Sequence, residues 1–303
     1  MALEDVDTVI ELHQLLQEKK DCMFQFLQDE SLFHASADCP KCGRLMELQN
    51  VAKFKFQFVW RCSKQKCRET VSVAHDSFFH RKYLMDVDNT IVCIYLWCAG
   101  VSAKVATGIT GFENKAVLEV FESVREICSW QLLQIPEEFR FGGPYKEVEL
   151  FQTQCSEKKC DDEPGILVIY CREDRRGALK VLKKRDAETV IPIIKECVLP
   201  GSKVYSDLSP VYKTLPRHGY KHLTVTSLKK SGNIKSGATI TNMAKGYWAL
   251  CKKKLTAWAV LDSKNFDRHL DVLMWRDIYG KEEVKDTFKN ILDHIRSRYE
   301  LHN

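Results

Sequence analysis

Residues 185–225 read RDAETVIPIIKECVLPGSKVYSDLSPVYKTLPRHGYKHLTV. Ala187–Leu199 has helical spacing, and Val204–Ser206 and Leu223–Thr226 are short strands. Upstream lie three more strand patterns, Glu147–Gln152, Ile166–Arg172 and Ala178–Lys183. Downstream, Asn242–Leu255 is a helix. Strands alternating with helices predict a mixed α/β domain. Gln154–Gly165, with Cys155, Cys160 and an acid run, reads as an inserted surface loop, and 281–299 as an amphipathic helix.

Gln134–Tyr145, holding Pro136, Gly142, Gly143 and Pro144, reads as a linker. Before it the chain changes character. Residues 3–30 show apolar residues three to four apart with acids between, the pattern of one or two short helices. FKFQFVWRC alternates as a strand does. Residues 84–99 form an apolar-periodic helix ended by Gly100, and Ser102 is placed to cap a short helix. A longer helix runs over 113–133. Helix, short turn and helix make a helix-turn-helix candidate, with a plain three-helix core as the blander alternative.

The expected architecture is therefore an α+β multi-domain chain. A helical segment spans 1–35, a Cys-bearing ribbon 36–82, a helix-turn-helix-like region 83–135, and an α/β domain 145–300. A length of 303 residues suits two domains or slightly more. At 45% hydrophobic and 29% charged, the composition is globular and not disordered. The acidic, polar start MALEDVDTVIELHQ is not a secretory or transit leader. The longest apolar stretch, Thr90–Val101, is about half the ~20 residues a spanning helix needs. Thirteen cysteines, an odd number, do not form a secreted disulfide framework. These features point to an intracellular chain without membrane partners.

Cys39-x2-Cys42 and Cys62-x4-Cys67 are two pairs separated by 19 residues, a gap that a β-hairpin spans. Pro40 and Gly43 supply a tight knuckle. Four thiolates leave no open position, so the implied ion is a structural zinc and not a catalytic one. Around the cysteines stand Lys53, Lys55, Phe56, Phe58, Trp60, Arg61, Lys64 and Lys66.

The net charge of +5 conceals a pattern. Residues 1–38 carry 2 basic and 9 acidic side chains, 39–82 carry 10 and 3, 83–140 carry 4 and 8, and 141–303 carry 30 and 21. Within 202–254 there are 11 Lys/Arg and one acid, Asp207. Two basic stretches divided by an acidic one suggest two surfaces that meet a polyanion. Solvated surface lysines are the bland alternative. The candidate nucleic-acid contacts are Lys53, Lys55, Arg61, Lys64 and Lys66 on the ribbon, and Lys229, Lys230, Lys245, Lys252, Lys253 and Lys254 further on.

The order of these parts resembles the Merlin-type, ISXO-like family of DDE transposases over roughly residues 36–295. Residues 185–225 resemble the block around the family's second catalytic aspartate, with Asp207 in its SD dipeptide. Thr241-Asn242 with Trp248, the closing segment RHLDVLMWR (268–276) and the strand KEVELFQ (146–152) match in turn. The resemblance implies a ribonuclease-H-like fold in which three carboxylates hold two Mg²⁺ ions for phosphodiester chemistry. In this chain the first of those positions falls on Phe151 and the third on Lys245, so only Asp207 is retained. Glu149 shares a strand face with Phe151 and is the nearest substitute. No other acid lies between Asp207 and Asp262.

The resemblance therefore implies a domesticated, transposase-derived DNA-binding protein of the nucleus. It would be unable to cleave or join DNA, would hold a structural zinc, and would pair as a homodimer. One alternative is an active or residually active transposase that uses Mg²⁺ through Glu149, Asp207 and Asp262. Another is a zinc-ribbon protein-interaction scaffold. Asp207 has a modest reading too, as the cap of a helix starting at Leu208.

Overall fold

The structure is a computed structural model. It describes residues 1–51, 56–80, 85–154, 165–224, 242–258 and 265–300. Two compact units are present. One comprises Met1–Gln131 with Tyr279–Asn303, and the other Leu132–Ile278.

The first unit opens with α1 (Val9–Glu18), which starts on a capping box. Thr8 Oγ1 accepts the Glu11 N–H at 3.2 Å, and the Glu11 carboxylate accepts the Thr8 N–H. α2 (Met23–Asp29) follows. Strands β1 (Met46–Asn50), β2 (Phe58–Cys62) and β3 (Thr70–Ser72) then form an antiparallel sheet in that order. The register sets Met46 opposite Cys62 and Trp60 opposite Val71.

α3 (Val87–Cys98) is buried along all of its length past Asn89, as a helix apolar on every side over that stretch must be. Its cover includes α9 (Val284–Arg298), whose Phe288 ring meets Tyr95 at 5.3 Å, edge to face. The terminal helix, expected with the C-terminal domain, thus belongs to the first unit. Its Arg296 donates to the Glu30 backbone carbonyl at 2.9 Å. α4 (Ala103–Thr110) is capped by Ser102 and ends on Gly111 at φ +71°, the left-handed stop that glycine favours. α5 (Asn114–Gln134) runs on from there.

The second unit has a five-stranded sheet ordered β10-β9-β5-β6-β7, built from β5 (Glu147–Gln154), β6 (Gly165–Cys171), β7 (Arg176–Leu182), β9 (Lys203–Ser206) and β10 (Lys221–Thr224). β5, β6 and β7 are an antiparallel meander. β9 joins β5, and β10 joins β9, in parallel. Gly165–Cys171 is buried throughout, the mark of a central strand covered on both faces. α6 (Ala187–Cys197) packs on β6 and β7, and α7 (Asn242–Ala257) on β5 and β6. α8 (Phe266–Tyr279) follows.

The stretch expected to be a linker is ordered. Phe141–Gly142 forms β4 and pairs in parallel with β8 (Val198–Leu199). Gly142 sits at φ +85°, where an added Cβ would lie 2.2 Å from Ser202 Oγ. The same hydroxyl accepts the Gly143 N–H at 2.7 Å and donates to Leu199 O. A side chain at 142 has neither the dihedral nor the room.

Candidate functional site

The hairpin of β1 and β2 brings the two cysteine pairs together. At the first knuckle the N–H groups of Cys42 and Gly43 bond the Cys39 carbonyl, and Gly43 turns at φ +64°. At the second, the N–H groups of Cys67 and Arg68 bond the Lys64 carbonyl, and Arg68 takes the left-handed turn at φ +51°. Sulfur separations are 3.7 Å for Cys39–Cys67 and 3.5 Å for Cys42–Cys62, and all four sulfurs lie within 4.8 Å of one another. A tetrahedron with zinc–thiolate bonds of about 2.3 Å has sulfur edges of about 3.8 Å, so the four donors fit such an ion. The Arg44 backbone N–H draws the Cys42 thiol down to about 7, against the opposing effect of burial, whereas at Cys62 the Lys64 N–H is outweighed by burial and the neighbouring sulfurs, which push that thiol up to about 12. A thiolate is the form that binds metal.

Three of the ribbon cations expected at a nucleic acid, Arg61, Lys64 and Lys66, are exposed. Arg61 donates to Gln49 Oε1 at 3.3 Å. Trp60, in contrast, is buried. Lys53, Lys55, Lys229 and Lys230 lie outside the described residues, as do Thr241, Asp262, Cys155 and Cys160.

In the second unit, residues 147, 149 and 151 of β5 point to one face of the sheet and Gln152 to the other, where it bonds Tyr212 Oη at 2.8 Å. Glu149 is fully buried. One of its oxygens receives Arg172 Nε and Nη2, both at 2.7 Å. The other accepts the Ala244 N–H at 2.9 Å, in the first turn of α7. A carboxylate at a helix N-terminus satisfies an orphan donor and complements the helix dipole.

Arg172 also reaches Glu147 at 2.6 Å and stacks over the Tyr205 ring at 4.5 Å. Burial pulls the Arg172 guanidinium down, but Glu149 and Glu147 outweigh it and hold it above its ordinary value. Burial would raise Glu147, yet hydrogen bonds from Tyr205 and Arg172 hold it below the usual carboxylate range. Burial, with Glu147 adding to it, pushes Tyr205 up to about 12.

The sequence reading held Glu149 available as a substitute metal ligand. In the structure both of its oxygens are engaged and the side chain is fully buried. Arg172 was not singled out at all. The signal that could have found it is the pair Glu147 and Glu149, whose shared strand face demands a cation once that face is covered.

The two positions that lack carboxylates meet each other. Lys245, in the first turn of α7, places Nζ 5.4 Å from the centroid of the Phe151 ring, a cation–π contact. Asp207 is exposed at the end of β9, and its Oδ1 accepts the Ser209 N–H at 2.9 Å. This turn precedes a 3₁₀ segment, Pro210–His218, so the helix expected at Leu208 begins two residues later and Asp207 does not cap it directly. Beside it, Ser206 Oγ bonds His222 Nε2 at 2.7 Å across β9 and β10. Burial lowers the His222 pKa, partly offset by Asp207.

Among the described residues, the four cysteines are the only group of three or more His, Cys, Asp or Glu with donor atoms within metal-bridging reach. A set of Phe151, Asp207 and Lys245 does not fit two Mg²⁺ ions, which take hard oxygen ligands.

The α7 lysines are spread around the helix. At about 100° per residue, Lys252 lies within about 20° of Lys245, Lys253 stands about 80° away and Lys254 about 180° away. Burial raises the Asp277 pKa, and Lys254 lies close enough to offset part of that rise, as does the Tyr247 hydrogen bond.

A mixed α/β domain with this strand order and one exposed aspartate at the end of a parallel strand has the features of a DDE transposase domain. Residues 152–277 match the family described as ISXO2-like transposase domain, which supports an ISXO-like DDE transposase family for that domain. The match includes Asp207 and Lys245 and begins just after Phe151. None of the curated proteins searched matches the chain.

Among solved structures, one similar chain belongs to the intasome of simian T-cell lymphotropic virus in complex with PP2A regulatory subunit B56 gamma. It is 14% identical, with 60% of this chain and 64% of that chain covered, at a TM-score of 0.30. This chain therefore spans less than two thirds of that relative, and at that score the likeness carries no argument. Among the described residues, no helix is long and apolar enough to cross a membrane.

Proposed function

We propose that this chain is a transposase-derived DNA-binding protein that neither cleaves nor joins DNA. The strand order, an antiparallel meander extended by two parallel strands, supports a ribonuclease-H-like catalytic fold for the second unit. The observation that carries the loss of chemistry is the Lys245–Phe151 contact. Lysine supplies a positive charge where the metal-holding position falls, and phenylalanine supplies no oxygen. Glu149 cannot compensate, because Arg172 and the Ala244 N–H already hold it.

Binding remains. Lys245 and Lys252 share one side of α7, and the ribbon offers Arg61, Lys64 and Lys66. Such cations take phosphate oxygens and release counterions. The four cysteines hold a structural zinc whose ribbon stands in for a core. The finer placement, a domesticated Merlin-type member that acts in the nucleus as a dimer, rests on the motifs around Asp207 and Trp248.

The deciding experiment incubates the purified zinc-loaded protein with supercoiled plasmid and Mg²⁺ or Mn²⁺, and separately titrates it into duplex DNA at several salt concentrations. The expected outcome is no nicking together with binding that weakens as salt rises. Nicking abolished by Asp207→Ala would overturn the reading in favour of an active enzyme. A lack of salt-dependent binding would overturn it in favour of a protein-interaction scaffold.

A further inference from the structure

The first unit holds a cavity of 520 Å³ whose lining includes none of the four clustered cysteines. That is within the size range of ligand pockets. Its apolar wall includes the rings of Phe24, Phe56 and Phe58, with Phe24 and Phe58 stacked at 4.8 Å. Three carboxylates line it from two elements. Asp21 comes from the turn before α2, and Asp86 and Asp88 from the start of α3. Lys20 is the single cation among the lining residues. Three side-chain amides, Gln25, Asn50 and Gln57, complete the lining.

Aromatic faces are the negative side of the ring quadrupole, and beside carboxylates they attract a cation whose own surface is apolar. A small hydrated metal ion gains nothing from phenylalanine, and an anion is repelled by the aspartates. We propose that this pocket binds an alkylammonium group, the side chain of a lysine or methylated lysine carried by a basic peptide. The ring faces receive the methyl or methylene groups, the aspartates balance the charge, and the amides offer donors and acceptors to the peptide backbone. With three carboxylates and one lysine in its lining, this pocket is opposite in sign to the proposed DNA-binding cations.

The test uses the zinc-loaded full chain and a short fluorescein-labelled basic peptide centred on trimethyllysine. Its counterpart carries uncharged norleucine at that position. Cys22 lines the same cavity and is the one exposed cysteine among the described residues, so its alkylation, mapped by mass spectrometry, reports occupancy. The trimethyllysine peptide is expected to bind at least about tenfold more tightly than the norleucine peptide and to protect Cys22.

The double variant Asp21→Asn/Asp86→Asn changes two exposed side chains and should keep its zinc content. It is expected to lose about tenfold in affinity. Equal binding of the two peptides, or undiminished binding by the double variant, overturns the proposal. Protection of Cys22 by free tetramethylammonium as strong as that by the peptide overturns the assignment to a peptide side chain.

Discussion

If Glu149 is an anchor for α7 and not a vestigial metal ligand, removing it must destabilise the domain. Glu149→Ala has three consequences. The Ala244 N–H loses its acceptor at a buried helix start, which costs about 1–3 kcal/mol. Arg172 loses one carboxylate. The cost quoted for breaking a buried pair, about 3–5 kcal/mol, must be discounted here. Arg172 is 30% exposed and keeps Glu147 and the Tyr205 ring, so about 1 kcal/mol is reasonable. Burial of the Glu149 charge was itself unfavourable, which returns part of the loss. A net destabilisation of about 2–3 kcal/mol remains, or a melting temperature lower by roughly 6–10 °C for a domain of this size.

Arg172→Ala should cost more, because it strands a fully buried carboxylate. The double variant should fall short of additivity by about 1 kcal/mol or more, since the two side chains touch. Urea unfolding followed by far-UV circular dichroism, with a thermal scan beside it, measures all three. A member of a set of mutually repelling carboxylates behaves oppositely, because its removal stabilises the metal-free protein. An unchanged or raised midpoint for Glu149→Ala would refute the anchoring role.

Lys245→Glu is predicted to weaken duplex binding and to lower the magnitude of the salt slope by about 1, as loss of one phosphate contact does, read by anisotropy across a salt series. Cys62→Ser should abolish stoichiometric zinc by atomic absorption and unfold the ribbon, and a chelator should do the same to the unaltered chain. His294 meets the Tyr279 ring edge to face at 4.5 Å, and burial lowers its pKa from the ordinary 6.5 to about 4. The unfolded chain therefore binds this proton more readily than the folded one. Stability is full above about pH 6.5 and falls by up to about 3 kcal/mol as pH drops toward 4. Equilibrium unfolding at several pH values should show that acid limb, and His294→Leu should flatten it.

Local signals placed the elements well, and contacts distant in sequence moved their ends. The helix read from Ala187 does begin there, because Asp186 caps it by accepting the Thr189 N–H at 2.8 Å, a device written in adjacent residues. The same helix ends at Cys197 and not Leu199. The last two residues pair instead with Phe141–Gly142, more than fifty positions away, and that pairing also orders the stretch read as a linker. Leu223–Thr226 begins two residues early as Lys221–Thr224, its register set by β9. The segment Pro210–His218 has two prolines and folds as 3₁₀ turns, which apolar periodicity does not report.

The candidate site divides along the same line. Four cysteines at knuckle spacing define their own geometry, so that centre was legible residue by residue. The absence of carboxylates around residue 245 was equally legible, because a missing side-chain type needs no structure. What the sequence could not say is how a domain tolerates those absences. Phe151 and Glu149 share a face of β5, and α7 lies across that face. A catalytic arrangement would bring acids together there and need metal to hold them. In this chain, lysine lies over phenylalanine, and the nearby glutamate is tied to an arginine from the next strand. Lys245, Phe151 and Glu149 each find a partner within the domain. On the proposed function, the basic charge at Lys245 and the lack of a carboxylate there are one substitution seen from two sides. Lys245 is outside the core stripe of Ala244, Trp248, Cys251 and Leu255, where a charge of either sign is free to change without disturbing packing.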